Sequence, residues 1–457
     1  MKKVKILLTM AAIAFSVMLC GTLNAFALTE GDWEFQLLDN EAEITNYLGD
    51  DADVIIPETL YGVPVTRVTG SNDHYFRRAR SITYPKTVKV IEEVVCDRSS
   101  ENAALENVIL PEGIEEIGEQ AFASCKNLKS IKIPSTVKKI DTYAFENCTS
   151  LASVNFPDGL ESIGFLAFSG TALTELDLSH INPEYRSSVF SYCKSLKSVK
   201  LNNGIVEIPE AMFRKCTSLE SVYIPNSVTK ICQYAFEDCT SLKEIILPTS
   251  LKELESSCFA SSGLIEVVIP YGTKYISSFW AAFRYCQNLK SVYIPDTTKM
   301  DGNIISGCPN AIIYCTANSK AAEVCKDQKI SYLTDNSVNS GITVLYNGTR
   351  VSFHSYGQNP ELLNSRTLVP LRSIFEAMGA NVKWDEATST AVAVRNGIEI
   401  KIQIGANEMY KNGKAVSVDV PAMLLNDRTM VPVRVIAEAF GASVEWNGNG
   451  NTVLITE

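Results

Sequence analysis

Histidine is nearly absent: His74, His180 and His354 are the only three in 457 residues, and they lie far apart in sequence. That scarcity starves most metal sites and acid–base chemistry, which lean on imidazole. Positive charge is also short, with 41 Lys and Arg against 52 Asp and Glu for a net charge of −11. Such a balance disfavours wrapping nucleic acid by phosphate neutralisation. There is no G-x-S-x-G, no H-E-x-x-H, no phosphate-binding glycine loop, no C-x-x-C pair and no Cys with a nearby His. Paired carboxylates such as Asp50-Asp51, Glu92-Glu93 and Glu115-Glu116 suit solvated coil edges better than acid–base work. No catalytic residue, metal or cofactor is therefore expected. What is present is a chain with 46% hydrophobic residues, too long for one core and too apolar for disorder, so two or more folded units are expected.

The first segment reads as an address. Lys2, Lys3 and Lys5 precede the apolar run Ile6 to Leu19, and Ala25-Phe26-Ala27 places small residues at −3 and −1 of a cleavage site. Residues 1–27 are expected to be a signal peptide. Cys20 lacks a lipobox, since Leu19 stands where a small residue belongs. No later stretch is long and apolar enough to span a bilayer as a helix, and the C-terminal residues carry no sorting signal. The expectation is an exported protein without a membrane span, held at any surface non-covalently.

A repeat fills the middle of the chain. Phe122, Phe145, Phe168, Phe190, Phe213, Phe236, Phe259 and Phe283 recur every 22 to 24 residues, each in one frame. One copy runs Ala121-Phe122, Cys125, Leu128, Ile131, Ile133-Pro134, Val137, Ile140; another runs Ala235-Phe236, Cys239, Leu242, Ile245, Leu247-Pro248, Leu251, Leu254. The Leu and Ile marks define a short strand, and Pro, with no N–H to give, suits its end. The next two aliphatic residues make a return wall, and Ala-Phe closes the coil. A coil this small cannot bury these groups alone, but stacked neighbours can. Nine such coils from Leu105 to Leu289 are expected to form parallel strands about 4.8 Å apart.

The frame Ala-Phe-x-x-Cys-x-x-Leu-x-x-Ile-x-Ile-Pro resembles the BspA-like leucine-rich repeats of bacterial secreted and surface proteins. Ala42 to Tyr47, Val54 to Pro57 and Leu60 to Val65 resemble that family's N-terminal cap, and Ala311 to Tyr314 with Ser319 to Ala322 its closing coil. The resemblance implies a cap over 28–75 and a solenoid over 76–333, mostly β with short helical turns. Irregular packing is expected from His74 to Asn102, where Arg77, Arg78 and Arg80 flank a poorly formed coil.

Cys125, Cys148, Cys193, Cys216, Cys239 and Cys286 all follow the repeat's Phe by three residues, and Thr171 and Ser262 take that place elsewhere. A place shared by Cys, Thr and Ser wants a small side chain with a modest hydrogen-bonding ability. A ladder of reduced thiols is expected, bridges between adjacent coils being the alternative.

Thr334 to Gly341 reads as a polar linker. Beyond it a duplication appears with an offset of 62: Arg366-Thr367-Leu368-Val369-Pro370-Leu371-Arg372 against Arg428-Thr429-Met430-Val431-Pro432-Val433-Arg434, with Trp384 against Trp446. In each copy a helix is expected between Pro and Gly, followed by strands. This segment, 342–457, resembles the copper amine oxidase N-terminal-like domain, a small α+β module. The resemblance implies the non-catalytic stalk only. Arg372 and Arg434 suit i to i+4 pairing with Glu376 and Glu438, anion binding being the alternative. Asn447 to Asn451 lacks carboxylates for calcium and belongs in a hairpin turn.

With no chemistry in view, binding remains, and a solenoid's natural binding surface is its sheet. The outward residue of each strand should be Ile109, Lys132, Asn155, Asp177, Lys200, Tyr223, Ile246, Val268 and Tyr293. Tyr223, Ile246, Val268 and Tyr293, with Lys197, Lys243 and Lys290 beside them, make the candidate binding patch; β-propensity alone is the rival explanation. The expected function is an exported, non-enzymatic adhesion protein of a Gram-positive bacterium. It would bind an extracellular protein or glycan while the C-terminal module assists attachment or presentation. The alternatives are a structural envelope spacer, and an accessory protein whose C-terminal domain docks a cell-wall polymer.

Overall fold

The structure, a computed structural model, describes residues 27–457 apart from 70–75, 77, 93–103, 336–337, 339–340, 352, 354–357, 364, 427 and 449–450. The expected signal peptide up to Phe26, together with His74, Arg77 and His354, lies outside the described residues. The fold is a parallel-strand β-solenoid of about 12 turns with few helices, followed by a domain of antiparallel sheets. The chain forms two compact units, one running to Asn202 and adding Pro209–Leu219, the other holding Asn203–Ile208 and Glu220–Glu457.

In the first unit, antiparallel strands Trp33–Leu38 and Glu41–Tyr47 start a sheet that continues through Val63–Thr69, Val90–Glu92, Glu116–Ile117, Lys139–Ile140, Ser162–Ile163 and Glu184–Tyr185. From Glu41–Tyr47 onward the pairing is parallel. On the opposite wall Ser130–Lys132 pairs in parallel with Ser153–Asn155, placing Ile131 beside Val154. From Ser81 onward the strands of this unit are two or three residues long, because each coil must turn back on itself within one repeat. Leu128, Ile131, Ile133, Val137 and Ile140 all point inward and are buried. Pro134 ends its strand, and its carbonyl accepts the Val137 N–H at 3.2 Å. The segment expected to pack irregularly is partly regular. Ser81–Thr83 and Val90–Glu92 form an ordinary coil in register with their neighbours, because Ile82, Val88 and Ile91 occupy the repeat's inward positions and are buried.

The Phe turn shows how coils adhere. Phe122, Phe145, Phe168, Phe190 and Phe213 are fully buried, with successive ring centroids 5.1–6.0 Å apart and nearly parallel. Residues two before and two after the ring adopt positive φ, and apart from Gly170 they are not glycine, as at Gln120 (57°) and Ser124 (62°), or Tyr143 (59°) and Asn147 (58°). Each such conformation costs about 1–3 kcal/mol. The geometry turns alternate N–H groups out of the coil: Gln120, Phe122 and Ser124 donate to the carbonyls of Thr142, Ala144 and Glu146 at 3.0, 2.8 and 2.6 Å. These bonds satisfy backbone groups that burial would otherwise leave unpaired at similar cost.

The repeat's thiols join the same seam. Cys148, Cys193 and Cys216 are free and buried, and each Sγ donates to the Phe carbonyl one coil back, Phe122, Phe168 and Phe190, at 3.0, 3.2 and 3.2 Å. Cys125 departs from the expected ladder of reduced thiols, since it is disulfide-bonded.

In the second unit Glu207–Ile208, Lys230–Ile231, Glu253–Leu254, Tyr275–Ile276 and Lys299–Met300 form one parallel wall. Glu266–Val268, Ser291–Ile294, Ile312–Cys315 and Tyr332–Thr334 form the other. Phe236, Phe259 and Phe283 stack at 5.3 and 5.6 Å, and Cys286 and Cys308 donate to Phe259 and Phe283 carbonyls at 3.1 and 2.9 Å. Cys239 is free and buried. Helix α1, Lys320–Asp327, is capped by Ser319, whose hydroxyl accepts the Ala322 N–H, and it closes the coil with buried Ala321, Ala322, Val324 and Cys325.

The C-terminal domain folds around its duplication. Strands Arg366–Pro370 and Arg428–Pro432 pair antiparallel about Val369 and Val431. Helices α2, Leu371–Ala377, and α3, Val433–Ala439, follow directly, and Phe375 meets Phe440 edge to face at 5.6 Å. Hairpins Asn381–Asp385/Thr390–Arg395 and Ser443–Asn447/Thr452–Thr456 complete the two halves.

Phe190→Ala is expected to cost about 3–5 kcal/mol, read as a lower urea midpoint, whereas an unchanged midpoint would show that the rings do not hold the coils together. Burial pushes the Cys148 thiol up to about 12 and Cys193 to about 11, from an ordinary value of 9.0. As pH rises past 9 the unfolded chain loses these protons first, so their contribution is complete below that pH and declines toward the folded values. The thermal midpoint should fall between pH 9 and 11 more steeply for the wild type than for Cys148→Ser. Equal slopes would contradict this.

Candidate functional site

The outward column begins as expected in kind. Ile109, Lys132, Asn155, Asp177 and Lys200 are all exposed, Ile109 at 51%. Alternation puts these side chains outside because their strand neighbours Val108, Ile131, Leu176 and Val199 point inward and are buried. Lys200 Nζ lies 3.7 Å from Asp177 Oδ2. The hydroxyl and amide of Ser179 hold the Asp177 carboxyl below the usual range. Asn155 reaches across to its neighbour strand, donating to Ile133 O and accepting from Ile133 N at 3.1 Å each. Lys197 at the start of Ser198–Lys200 is exposed.

In the second unit the column changes character. Tyr223 is 39% exposed, and Lys243 and Lys290 are exposed, but Ile246 and Val268 are half-buried and Tyr293 is only 8% exposed. The expected open aromatic and aliphatic patch is thus covered on its far side, and the cover is the chain's own C-terminal domain. Arg350, in strand Thr349–Arg350, lays its guanidinium 4.3 Å over the Tyr293 ring. The same guanidinium is 3.7 Å from Asp335 Oδ2, with both side chains about 5% exposed, and Arg350 N donates to Glu266 Oε1 at 2.6 Å. Ser291 Oγ donates to the other Glu266 oxygen at 2.9 Å. Burial raises the Glu266 carboxyl above its ordinary range, opposed by these donors and by the Arg350 charge. Burial likewise pushes the Tyr293 phenol up to about 12, and its ring stacks on Tyr314 at 4.7 Å. Ile246 and Val268 face Thr343, Leu345 and Thr452 across a cavity of about 180 Å³.

Two further expectations change. The polar linker is partly built into the fold, with Asp335 and Val338 buried. Arg372 and Arg434 do not pair with the glutamates four residues on: among the described residues neither has an ion-pair partner. Arg before Glu is the less favourable helical order. Arg366 instead pairs with Asp419, Nε to Oδ2 at 2.5 Å.

No signal in Thr349-Arg350 could have announced the seat, because two of its three partners, Glu266 and Tyr293, lie 84 and 57 residues earlier. Among the described residues no cluster of three or more His, Cys, Asp or Glu is placed to hold a metal, and no helix is long and apolar enough to cross a membrane.

Removing the buried cation should be expensive. Arg350→Ala is expected to cost about 3–5 kcal/mol and to speed proteolytic cleavage between Asp335 and Gly341, while Arg350→Lys has a smaller effect. Wild-type resistance in Arg350→Ala would show that the seat does not hold the domain.

A family model described as BspA type Leucine rich repeat region matches residues 70–197 and 183–312 in six copies. The Copper amine oxidase N-terminal domain model matches residues 345–455. The primary amine oxidase of Klebsiella aerogenes is 26% identical over 78 residues, which is 17% of this chain and 10% of that enzyme. The chain therefore spans about a tenth of that relative's length. Similar solved structures include a leucine rich cell surface protein from Faecalibacterium prausnitzii, 24% identical with a TM-score of 0.40, covering 66% of this chain and 97% of that one. The Pneumococcal vaccine antigen PcpA is 18% identical with a TM-score of 0.42, covering 69% of this chain and 100% of that one.

Proposed function

Since the chain belongs to the BspA-type leucine-rich-repeat family, we propose that it is an exported, non-catalytic bacterial binding protein of a Gram-positive surface. Its ligand is an extracellular protein or glycan, gripped by the outward face of the solenoid. The observation that carries this reading is the set of exposed outward side chains on the first unit, where strand pairing sets Lys132 beside Asn155 and Asp177 beside Lys200. Ile109, Lys132, Asn155, Asp177 and Lys200 are exposed in the first unit, with Lys197 beside them, and Tyr223 and Lys243 are exposed in the second. Strand-held side chains of mixed charge suit recognition of an extended partner at small ordering cost. Within the second unit Ile246, Val268 and Tyr293 serve instead to seat the C-terminal domain, whose role is to assist attachment or presentation. The amine oxidase likeness brings no oxidase chemistry, because it is confined to the 78 residues of the stalk-type match.

The test applies the labelled full chain to arrays of extracellular matrix proteins and bacterial surface glycans. A variant carrying Lys132→Glu, Lys197→Glu and Lys200→Glu should bind its best target about tenfold less tightly, a loss of about 1.4 kcal/mol, at unchanged thermal midpoint. Undiminished binding would remove this face from consideration, and a wild-type chain that binds nothing would favour a spacer role.

A further inference from the structure

A second concave site lies wholly within the C-terminal domain and shares no lining residue with the Arg350 seat. Its volume is about 660 Å³, within the range of about 300–1,000 Å³ typical of small-ligand pockets. Helix α3 contributes Arg434, strand Ser443–Asn447 contributes Glu445 and Trp446, and the Arg366–Asp419 pair and Thr367 complete the polar lining.

The Trp446 ring is 39% exposed although the core is already filled by Phe375, Phe440 and aliphatic side chains. Its duplicate, Trp384, is left 41% exposed as well. Sheet propensity accounts for an aromatic residue in a hairpin. It does not account for a half-open indole in a cleft also lined by Arg434, a guanidinium without an ion-pair partner among the described residues. The four charged side chains, two Arg against Asp419 and Glu445, balance, so the cleft offers no net field to a polyanion. It offers a flat apolar ring and a set of planar donors and acceptors. A pyranose presents the complementary chemistry: one face of C–H groups for the indole, and vicinal hydroxyls that each donate and accept.

We propose that this cleft binds a pyranose segment of a neutral polysaccharide. Trp446 is the stacking platform, and Arg434 with the Arg366–Asp419 pair engages the hydroxyls. The site is independent of the solenoid face and stands or falls separately from it.

Affinity electrophoresis of the full chain tests this, in gels containing a soluble β-glucan, a mannan, a galactan or glycol chitin, with polygalacturonate as the anionic comparison. Retardation by at least one of the four neutral polymers is expected. Trp446→Ala should weaken it about tenfold or more and Trp446→Phe by about threefold or less, while Trp280→Ala on the solenoid leaves it unchanged. Because Trp446→Phe keeps a ring in place, its retained binding separates loss of the platform from loss of the fold. No retardation by any neutral polymer, retardation by polygalacturonate only, or full retardation of Trp446→Ala would each overturn the proposal.

Discussion

Between one coil and the next runs a seam of backbone hydrogen bonds at the Phe turn, and the solenoid depends on it. The short strands supply few ladder bonds per coil, so the turn must supply more. It does so by forcing residues with side chains into left-handed backbone, as at Gln120 and Ser124, so that alternate N–H groups reach the following coil. That conformation is unfavourable for an isolated coil and is offset only when a neighbour offers carbonyls. Stacked phenylalanine rings exclude water from the same bonds, and the Cys thiols take up the Phe carbonyls' remaining capacity. Apolar burial, strain and hydrogen bonding thus all demand the same thing, a neighbour in register, which is why the fold grows by stacking.

A structure held by its neighbours needs ends. At the N-terminus antiparallel strands from Leu28 to Tyr47 replace the missing coil. Near the C-terminus helix α1 closes the interior, and the following domain seats Arg350 against Tyr293, Asp335 and Glu266. A buried guanidinium is tolerable there because a ring face and a carboxylate replace its water. Within the second unit the same seating buries Tyr293 and half-buries Ile246 and Val268, while Tyr223 stays exposed. A surface feature read from alternation alone becomes an internal joint.

Much of the fold was legible because the repeat states its inward positions again and again. Leu128, Ile131 and Phe122 recur in frame, and periodicity reveals which face each occupies without knowledge of the partner coil. The helices α2 and α3 were equally legible, since Pro and Gly mark their ends. The left-handed turn residues were not. Gln120, Tyr143, Leu166 and Ser188 share no chemistry, because the bonds to the next coil impose their conformation and no side-chain preference does. Nor was the Arg350 seat, which joins segments 57 and 84 residues apart that lie outside any common repeat. The cleft around Trp446 was half visible. The duplicated Arg and Trp residues stood out, but only the fold brings Asp419 to Arg366 and gathers Arg434 and Trp446 into one cleft.

Native-state hydrogen exchange of the Phe122, Phe145, Phe168 and Phe190 amides is the most direct measurement of the seam. These N–H groups donate to the next coil at 2.8, 2.7, 3.0 and 3.0 Å, and they should exchange as slowly as the strand amides of Ile131 and Ile140, through unfolding of whole coils. Exchange at the rate of exposed loop amides, with the strands still protected, would contradict the account and leave side-chain burial alone to hold the coils together.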